Sequence, residues 1–273
     1  QTACINPVKH YKLPVGLLNP ADPADFILVK DLVHFEVSST YINGELVAEN
    51  GISKINSVPT TAINNFDCKK IKPATLVVPE NEYPNKNGLI PVIEALDGQL
   101  ITNKLMLSGT LQNGNWVTDT TNDILKIVVV NRYHPAPIAK AFIKNFGCTK
   151  GAIASSVAHD SHNIVAVGVD DESITAAINL VIEAGGGVSV FTGAMETDSS
   201  KVLPLPVAGL MSAADGFEVA AMYTEIDLEA KALGSLLVAP FMTLSFMALL
   251  VIPHLKLSDK GLFNGDDFNF DIF

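Results

Sequence analysis

Residues 151–168 read Gly-Ala-Ile-Ala-Ser-Ser-Val-Ala-His-Asp-Ser-His-Asn-Ile-Val-Ala-Val-Gly. Two apolar runs, Ala152 to Ala158 and Ile164 to Val169, flank a polar turn that carries two histidines. Short runs of small and β-branched residues bounded by glycine read as buried strands. A polar loop held between two rigid strands is where proteins commonly place chemistry. The candidate substrate-contacting residues are Ser155, Ser156, His159, Asp160, His162 and Asn163.

The pattern continues on both sides. Downstream, Asp171 to Ala184 repeats Ile174, Ala177, Ile178, Val181 and Ile182 at helical spacing. Asp170 or Asp171 suits its N-cap, and Gly185 to Gly187 suits its end, because glycine accepts the left-handed conformation after a helix. Val188 to Phe191 reads as the next strand, and Pro204 and Pro206 mark an extended link. Asp215 to Leu233 reads as a second helix with Val219, Met222, Ile226, Leu228, Ala230 and Leu233 on one side. Residues 236–257 read as a buried strand plus a short buried helix, and 261–273 alternates Phe and Asp with little regularity.

Upstream, Leu89 to Leu96, Gln99 to Leu111 and Ile124 to Asn131 read as strands, with Asp97-Gly98 and Asn113-Gly114 as turns. Residues 1–50 read as a β-rich segment: Ala24 to Val29, then Val37 to Ile42 and Glu45 to Ala48 joined by Asn43-Gly44, a strong hairpin signal. The expected organisation is a β-rich segment at 1–50, a linker at 51–75 and a layered α/β domain with a mixed sheet at 76–273.

Bulk composition narrows the function. The chain has 273 residues, 48% hydrophobic and 17% charged, and a net charge of −11 with Arg132 its single arginine. Nucleic-acid and anionic-membrane binding both need cationic surface, so neither partner is expected. The apolar run Leu236 to Ile252 is interrupted by Pro240 and closed by Pro253, which argues against a membrane span. Cys4, Cys68 and Cys148 form no CxxC pair, and no basic segment with an apolar run opens the chain. A reducing, cytoplasmic location is therefore expected.

Two readings of the histidine loop stand side by side. In one, His159 and His162 face a common point and Asp160 fixes an imidazole tautomer. In the other, Asp, Ser and Asn are turn formers and the histidines are satisfied by nearby backbone. Two imidazoles and one carboxylate fall short of a tetrahedral zinc set, and neither HxH nor HExxH occurs, so no metal site is expected within these residues. No GxSxG elbow occurs. Cys148 in Gly-Cys-Thr-Lys-Gly is either a nucleophile paired with His159 or a buried structural thiol. Gly185 to Gly187 follows a helix rather than preceding one, and Thr192 to Lys201 lacks the second glycine before lysine, so no phosphate loop is expected. His34 and His254 read as structural in apolar context, and Glu218, Glu225 and Glu229 as water-facing. Arg132-Tyr133-His134 reaches an anion or carbonyl, or forms a strand-end salt bridge.

Residues 151–168, 203–212 (Leu-Pro-Leu-Pro-Val-Ala-Gly-Leu-Met-Ser), 240–246 (Pro-Phe-Met-Thr-Leu-Ser-Phe) and 255–263 (Leu-Lys-Leu-Ser-Asp-Lys-Gly-Leu-Phe) closely resemble the C-terminal region of bacterial adenine deaminases, members of the amidohydrolase superfamily. Residues 6–11, 22–29 and 41–47 are similar to the part of that family where the chain leaves the barrel for a small β-sandwich. The resemblance implies conversion of adenine and water to hypoxanthine and ammonia. It also implies a manganese or iron centre in an upstream (β/α)8 barrel, which lowers the pKa of a bound water. None of that centre's ligands has a counterpart in these residues, so the resemblance makes this chain the C-terminal portion, inert alone, of a homo-oligomeric enzyme acting on a purine base. A stand-alone interaction or dimerisation module is the alternative.

Overall fold

The computed structural model describes residues 1–58, 61–193, 200–270 and 272. The chain divides into two compact units at 60/61. The first holds a short helix, α1 (Ile5–Tyr11), and an antiparallel sheet in the order β1 (Phe26–Val29), β2 (Val37–Ile42), β3 (Glu45–Glu49), β4 (Ile52–Ser53). Asn43 (φ 52°) and Gly44 (φ 80°) turn β2 into β3, as the Asn-Gly pair predicts. Helix α1 is an addition to the β-rich expectation; it buries no residue, so no apolar stripe announces it.

The second unit runs β5 (Val78–Pro79), β6 (Leu89–Ala95), β7 (Thr102–Ser108), β8 (Thr110–Gln112), β9 (Asn115–Val117), β10 (Ile124–Val130), β11 (Ala139–Lys144), β12 (Ala152–Ser155), β13 (Ile164–Gly168), α2 (Asp171–Glu183), β14 (Gly187–Phe191), β15 (Ser200–Pro204), α3 (Gly216–Ala232), α4 (Pro240–Phe246), β16 (Leu255–Ser258) and β17 (Gly261–Asn264). Eight strands form one mixed sheet in the order β15-β14-β12-β13-β10-β11-β6-β7. Strand β11 runs parallel to β6, and the other neighbouring pairs are antiparallel. This is the mixed α/β architecture expected.

Alternation along the central strands explains the layers. Val128, Val130, Ala152, Ala154, Ile164 and Ala166 pack with Ile174, Ala177, Ile178 and Val181 of α2. Their chain neighbours Ile127, Val129, Ile153, Val165 and Val167 point to the opposite face, into a core shared with Ile226 and Ala230 of α3 and Phe241 and Leu244 of α4. A sheet covered on both faces needs apolar residues at every position, which is why β10, β12 and β13 read as continuous apolar runs. The alanines on the α2 side leave room for close helix approach. Asp170 caps α2 through the Ser173 amide at 2.6 Å, and Lys126 of β10, buried, pairs with Asp171 in its first turn.

Pro91 sits inside β6, between two partners, and lacks an amide hydrogen. The buried Tyr83 hydroxyl bridges that place: it donates to the Pro91 carbonyl at 2.8 Å and accepts from the Phe142 amide at 3.3 Å. Desolvation holds its pKa well above the usual phenol value.

Several expectations change. Segment 236–252 contains α4 but no strand: Pro240 starts the helix at its first turn, and Leu236, 93% exposed, and Val238 lie outside the core. The buried strand read into 236–257 is β16 at its end, which pairs with β17, a strand inside the 261–273 stretch read as irregular. The Pro204 link is the end of an edge strand, β15, where proline is tolerated. On α3 the inward stripe is Val219, Tyr223, Ile226, Ala230 and Leu233; Leu228 is 62% exposed and Met222 is also exposed. His34 and His254 are not core groups: both are substantially exposed and pair with Asp31 and Asp266. Most of the Thr192 to Lys201 segment considered for phosphate lies outside the described residues.

Candidate functional site

The sheet brings one set of strand ends to one edge. Register places Val130 beside Ile164, and Ser155 beside both Val165 and Val188. The segment after β10, the loop between β12 and β13, and the start of β14 therefore meet. All six candidate residues lie at this edge.

Their polar atoms are not equally free. Ser156 is fully buried; its hydroxyl donates to the Gly209 carbonyl at 2.6 Å and accepts from the Gly187 amide at 2.8 Å. Ser155 Oγ accepts from the Val157 amide at 2.9 Å, a local turn. Asn163, buried, accepts from the Arg132 amide through Oδ1 at 3.3 Å. Asp160 is exposed, and no hydrogen bond joins it to either imidazole. Ser155, Ser156 and Asn163 thus shape the loop, while His159 and His162 bring their rings together, centroids 5.8 Å apart.

His159 is held from two sides. Its amide donates to the Ser245 carbonyl at 2.9 Å, and its ring stacks on Phe246 at the end of α4, 4.9 Å between centroids and 18° between planes. Beneath it lies a cavity of about 240 Å³ lined mainly by Val157, Leu205, Tyr223, Phe241 and Met242 with His159 and Ser155 at its polar edge. An apolar hollow with few convergent polar groups is the usual form of a small-ligand or side-chain pocket. Phe246, Tyr223 and Met242 were beyond sequence reasoning, since they sit in apolar runs whose core role reads the same as a site role.

His162 adopts a left-handed backbone (φ 52°), and its Nδ1 is buried without a hydrogen-bond partner. Its pKa lies below the usual imidazole value, first through desolvation, then through the neighbouring charges of His159 and Arg132, with Asp160 opposing. The ring is therefore biased to its neutral form, which can accept a hydrogen bond.

Arg132 reaches carbonyls, one of the alternatives for that motif, and no salt bridge forms among the described residues. Cys148 has the surroundings of a buried structural thiol: it is buried, desolvation pushes it up to about 12, and its polar contact is the Phe146 carbonyl at 3.9 Å.

Among the described residues no group of three or more His, Cys, Asp or Glu side chains converges as a metal ion needs. The pair of imidazoles with one exposed carboxylate does not fit a hydrolytic metal centre. Among the same residues no helix is long and apolar enough to cross a membrane.

The adenine deaminase C-terminal domain model matches residues 99–269. The chain belongs to the adenine deaminase C-terminal domain family. That match covers the eight-stranded sheet from β7 onward, both loop-bearing strands and the α-helices α2, α3 and α4. Adenine deaminases similar to this chain include those of Methanosarcina acetivorans, 50% identical over 99% of the chain and 49% of the relative, and of Borreliella afzelii, 46% identical over 98% and 48%. That of Salinibacter ruber is 47% identical over 99% of the chain and 48% of the relative. The chain spans about half the length of the curated relatives it matches.

Proposed function

We propose that this chain is the C-terminal portion of an adenine deaminase and serves the hydrolysis of adenine to hypoxanthine and ammonia in the cytoplasm. The observation that carries the reading is the 46–50% identity to adenine deaminases sustained over 98–99% of the chain. Manganese or iron, with the residues that hold it, belongs to the remaining half of the protein. The role assigned here is enclosure: the loop of residues 155–163 covers the purine site and offers His159 and His162 to the base. Two features support it. Unlike Ser155, Ser156 and Asn163, the two imidazoles are not spent on holding the loop, and His159 sits on a rigid stacked and hydrogen-bonded base. A purine carries ring nitrogens and an exocyclic amine, which a neutral imidazole can meet as donor and acceptor.

The portion alone is inactive on this reading, because nothing among its described residues ionises a water. Ammonia release from adenine with added manganese should be undetectable for this chain alone and present for the full-length protein. Turnover by the isolated chain would overturn the assignment of chemistry to the other half. The full-length protein is expected to be a homo-oligomer, with exposed Leu236, Val238 and Met242 available for burial between subunits or against the missing half; sedimentation velocity tests this, a monomer contradicting it.

A further inference from the structure

Arg132 is the chain's single arginine and is 3% exposed. A buried guanidinium normally meets a carboxylate, because leaving its charge uncompensated is costly. Here it meets none among the described residues. Instead Nε donates to the His162 carbonyl at 2.6 Å and Nη2 to the Ala208 carbonyl at 2.8 Å, with a longer bond from Nη1 to the Asn65 carbonyl at 3.3 Å. The plane lies over the Tyr133 ring, 4.5 Å from its centroid, with Phe66 at 5.5 Å. Tyr133 extends the grip: its hydroxyl accepts from Nη2 at 3.0 Å and donates to the Ser161 carbonyl at 2.8 Å. Consecutive carbonyls of the loop, at Ser161 and His162, are thus held by consecutive residues after β10. The space is shaped to the guanidinium on the far side as well. A Cβ on Gly209 would fall 2.6 Å from Nη1, and Gly209 itself has φ +70°.

The geometry points to Arg132 as the positioning residue of the histidine loop, with Tyr133 as its relay. It fixes the left-handed turn at His162 by tying residues 161–163 to segments 63–66 and 207–209, which the Ala208 amide also joins to each other through the Ile63 carbonyl at 2.6 Å, and places a permanent positive charge near the His162 ring. A rigid fork of donors is needed to hold several carbonyls at once; lysine offers one flexible point. This inference deepens the enclosure reading and rests on it for its effect on adenine turnover. It does not rest on it for the effect on His162. The charged or titratable groups facing that ring are His159 and Asp160 of its own loop and Arg132 from the segment after β10.

The test uses the full-length protein with ring-labelled histidine, the His162 signal identified by its loss in His162→Gln. In Arg132→Met the His162 titration midpoint should rise, and KM for adenine should rise roughly tenfold as the loop loses its placement. Arg132→Lys keeps the charge but not the fork; it should leave the midpoint low yet still raise KM. Tyr133→Phe, mild enough to fold if the arginine variants do not, should shift the loop signals and raise KM by a smaller factor. An unmoved His162 midpoint in folded Arg132→Met, or unmoved loop signals in Tyr133→Phe, overturns the assignment whatever the kinetics. If the His162 signals move while adenine kinetics stay at the wild-type level, the positioning role stands and the enclosure reading falls.

Discussion

The imidazole of His159 lies flat on the phenyl ring of Phe246, 4.9 Å between centroids and 18° from parallel. Two segments 87 residues apart in sequence therefore share one rigid surface at the sheet edge. Stacked aromatic pairs contribute about 0.5–1.5 kcal/mol beyond area burial. Phe246→Leu keeps an apolar side chain but removes the ring. Adenine kcat/KM of the full-length protein should fall roughly 2- to 10-fold, the rate equivalent of that energy, with little change in Tm. Unaltered kinetics in the folded variant would show that the stack does not orient His159.

His162 makes the loop acid-sensitive. Its folded pKa is lowered, by desolvation first, so the unfolded chain binds more protons once the pH falls below the ordinary imidazole value of 6.5. The stability this neutral ring contributes is complete above that value and declines as pH falls toward the lowered folded value. His162→Gln should therefore show a smaller loss of denaturation midpoint between pH 7 and pH 5 than wild type, measured by urea unfolding. Equal losses would remove the burial argument.

Lys256 gives the opposite end of the pH scale. It is 0% exposed, and its ammonium donates to the Leu100 carbonyl at 2.7 Å and the Phe246 carbonyl at 3.1 Å, with no carboxylate partner among the described residues. Desolvation lowers its pKa from 10.5 to about 8. Between those two values the unfolded chain holds the extra proton, so this residue's contribution rises with pH from about 8 upward. Comparing wild type with Lys256→Met from pH 8 to 9.5 isolates it: the wild-type Tm should gain on the variant as pH rises. A constant difference would mean that the ammonium is not desolvated.

Lys126 and Asp171 form an ion pair whose side chains are 4% and 21% exposed. Lys126 also donates to the Leu76 carbonyl at 3.0 Å. Asp171→Ala leaves a buried cation with the Leu76 carbonyl as its hydrogen-bond acceptor and should cost about 3–5 kcal/mol. Adding Lys126→Met should restore a large part of that loss, because the isolated charge is then gone. Chemical denaturation of the two single variants and the double variant measures the coupling; additive losses would contradict a paired site.

Much of the fold was legible because the central strands and α2 obey local rules. Asp170, the 174–181 apolar repeat and Gly185 mark α2 almost to the residue. Strands β10, β12 and β13 are short apolar runs bounded by polar turns. The losses have a common cause. In 236–258 every residue type suits strand, helix or buried turn equally, so periodicity carries no information, and Pro240 was read as an interruption when it begins α4. Strand β11 alternates lysines with alanine and phenylalanine and lies next to β6 only through long-range pairing. At the site, the two histidines were visible as a polar interruption. Their supports were not: Phe246 is one apolar residue in an apolar run, and the roles of Ser156 and Arg132 depend on Gly209, far away in sequence.

The most direct test of the enclosure account is steady-state adenine deamination by the full-length protein carrying His159→Ala and His162→Ala together. The account predicts a folded variant with KM raised or kcat lowered by roughly tenfold or more, as loss of positioned binding groups requires. Wild-type kinetics in that folded variant would contradict it.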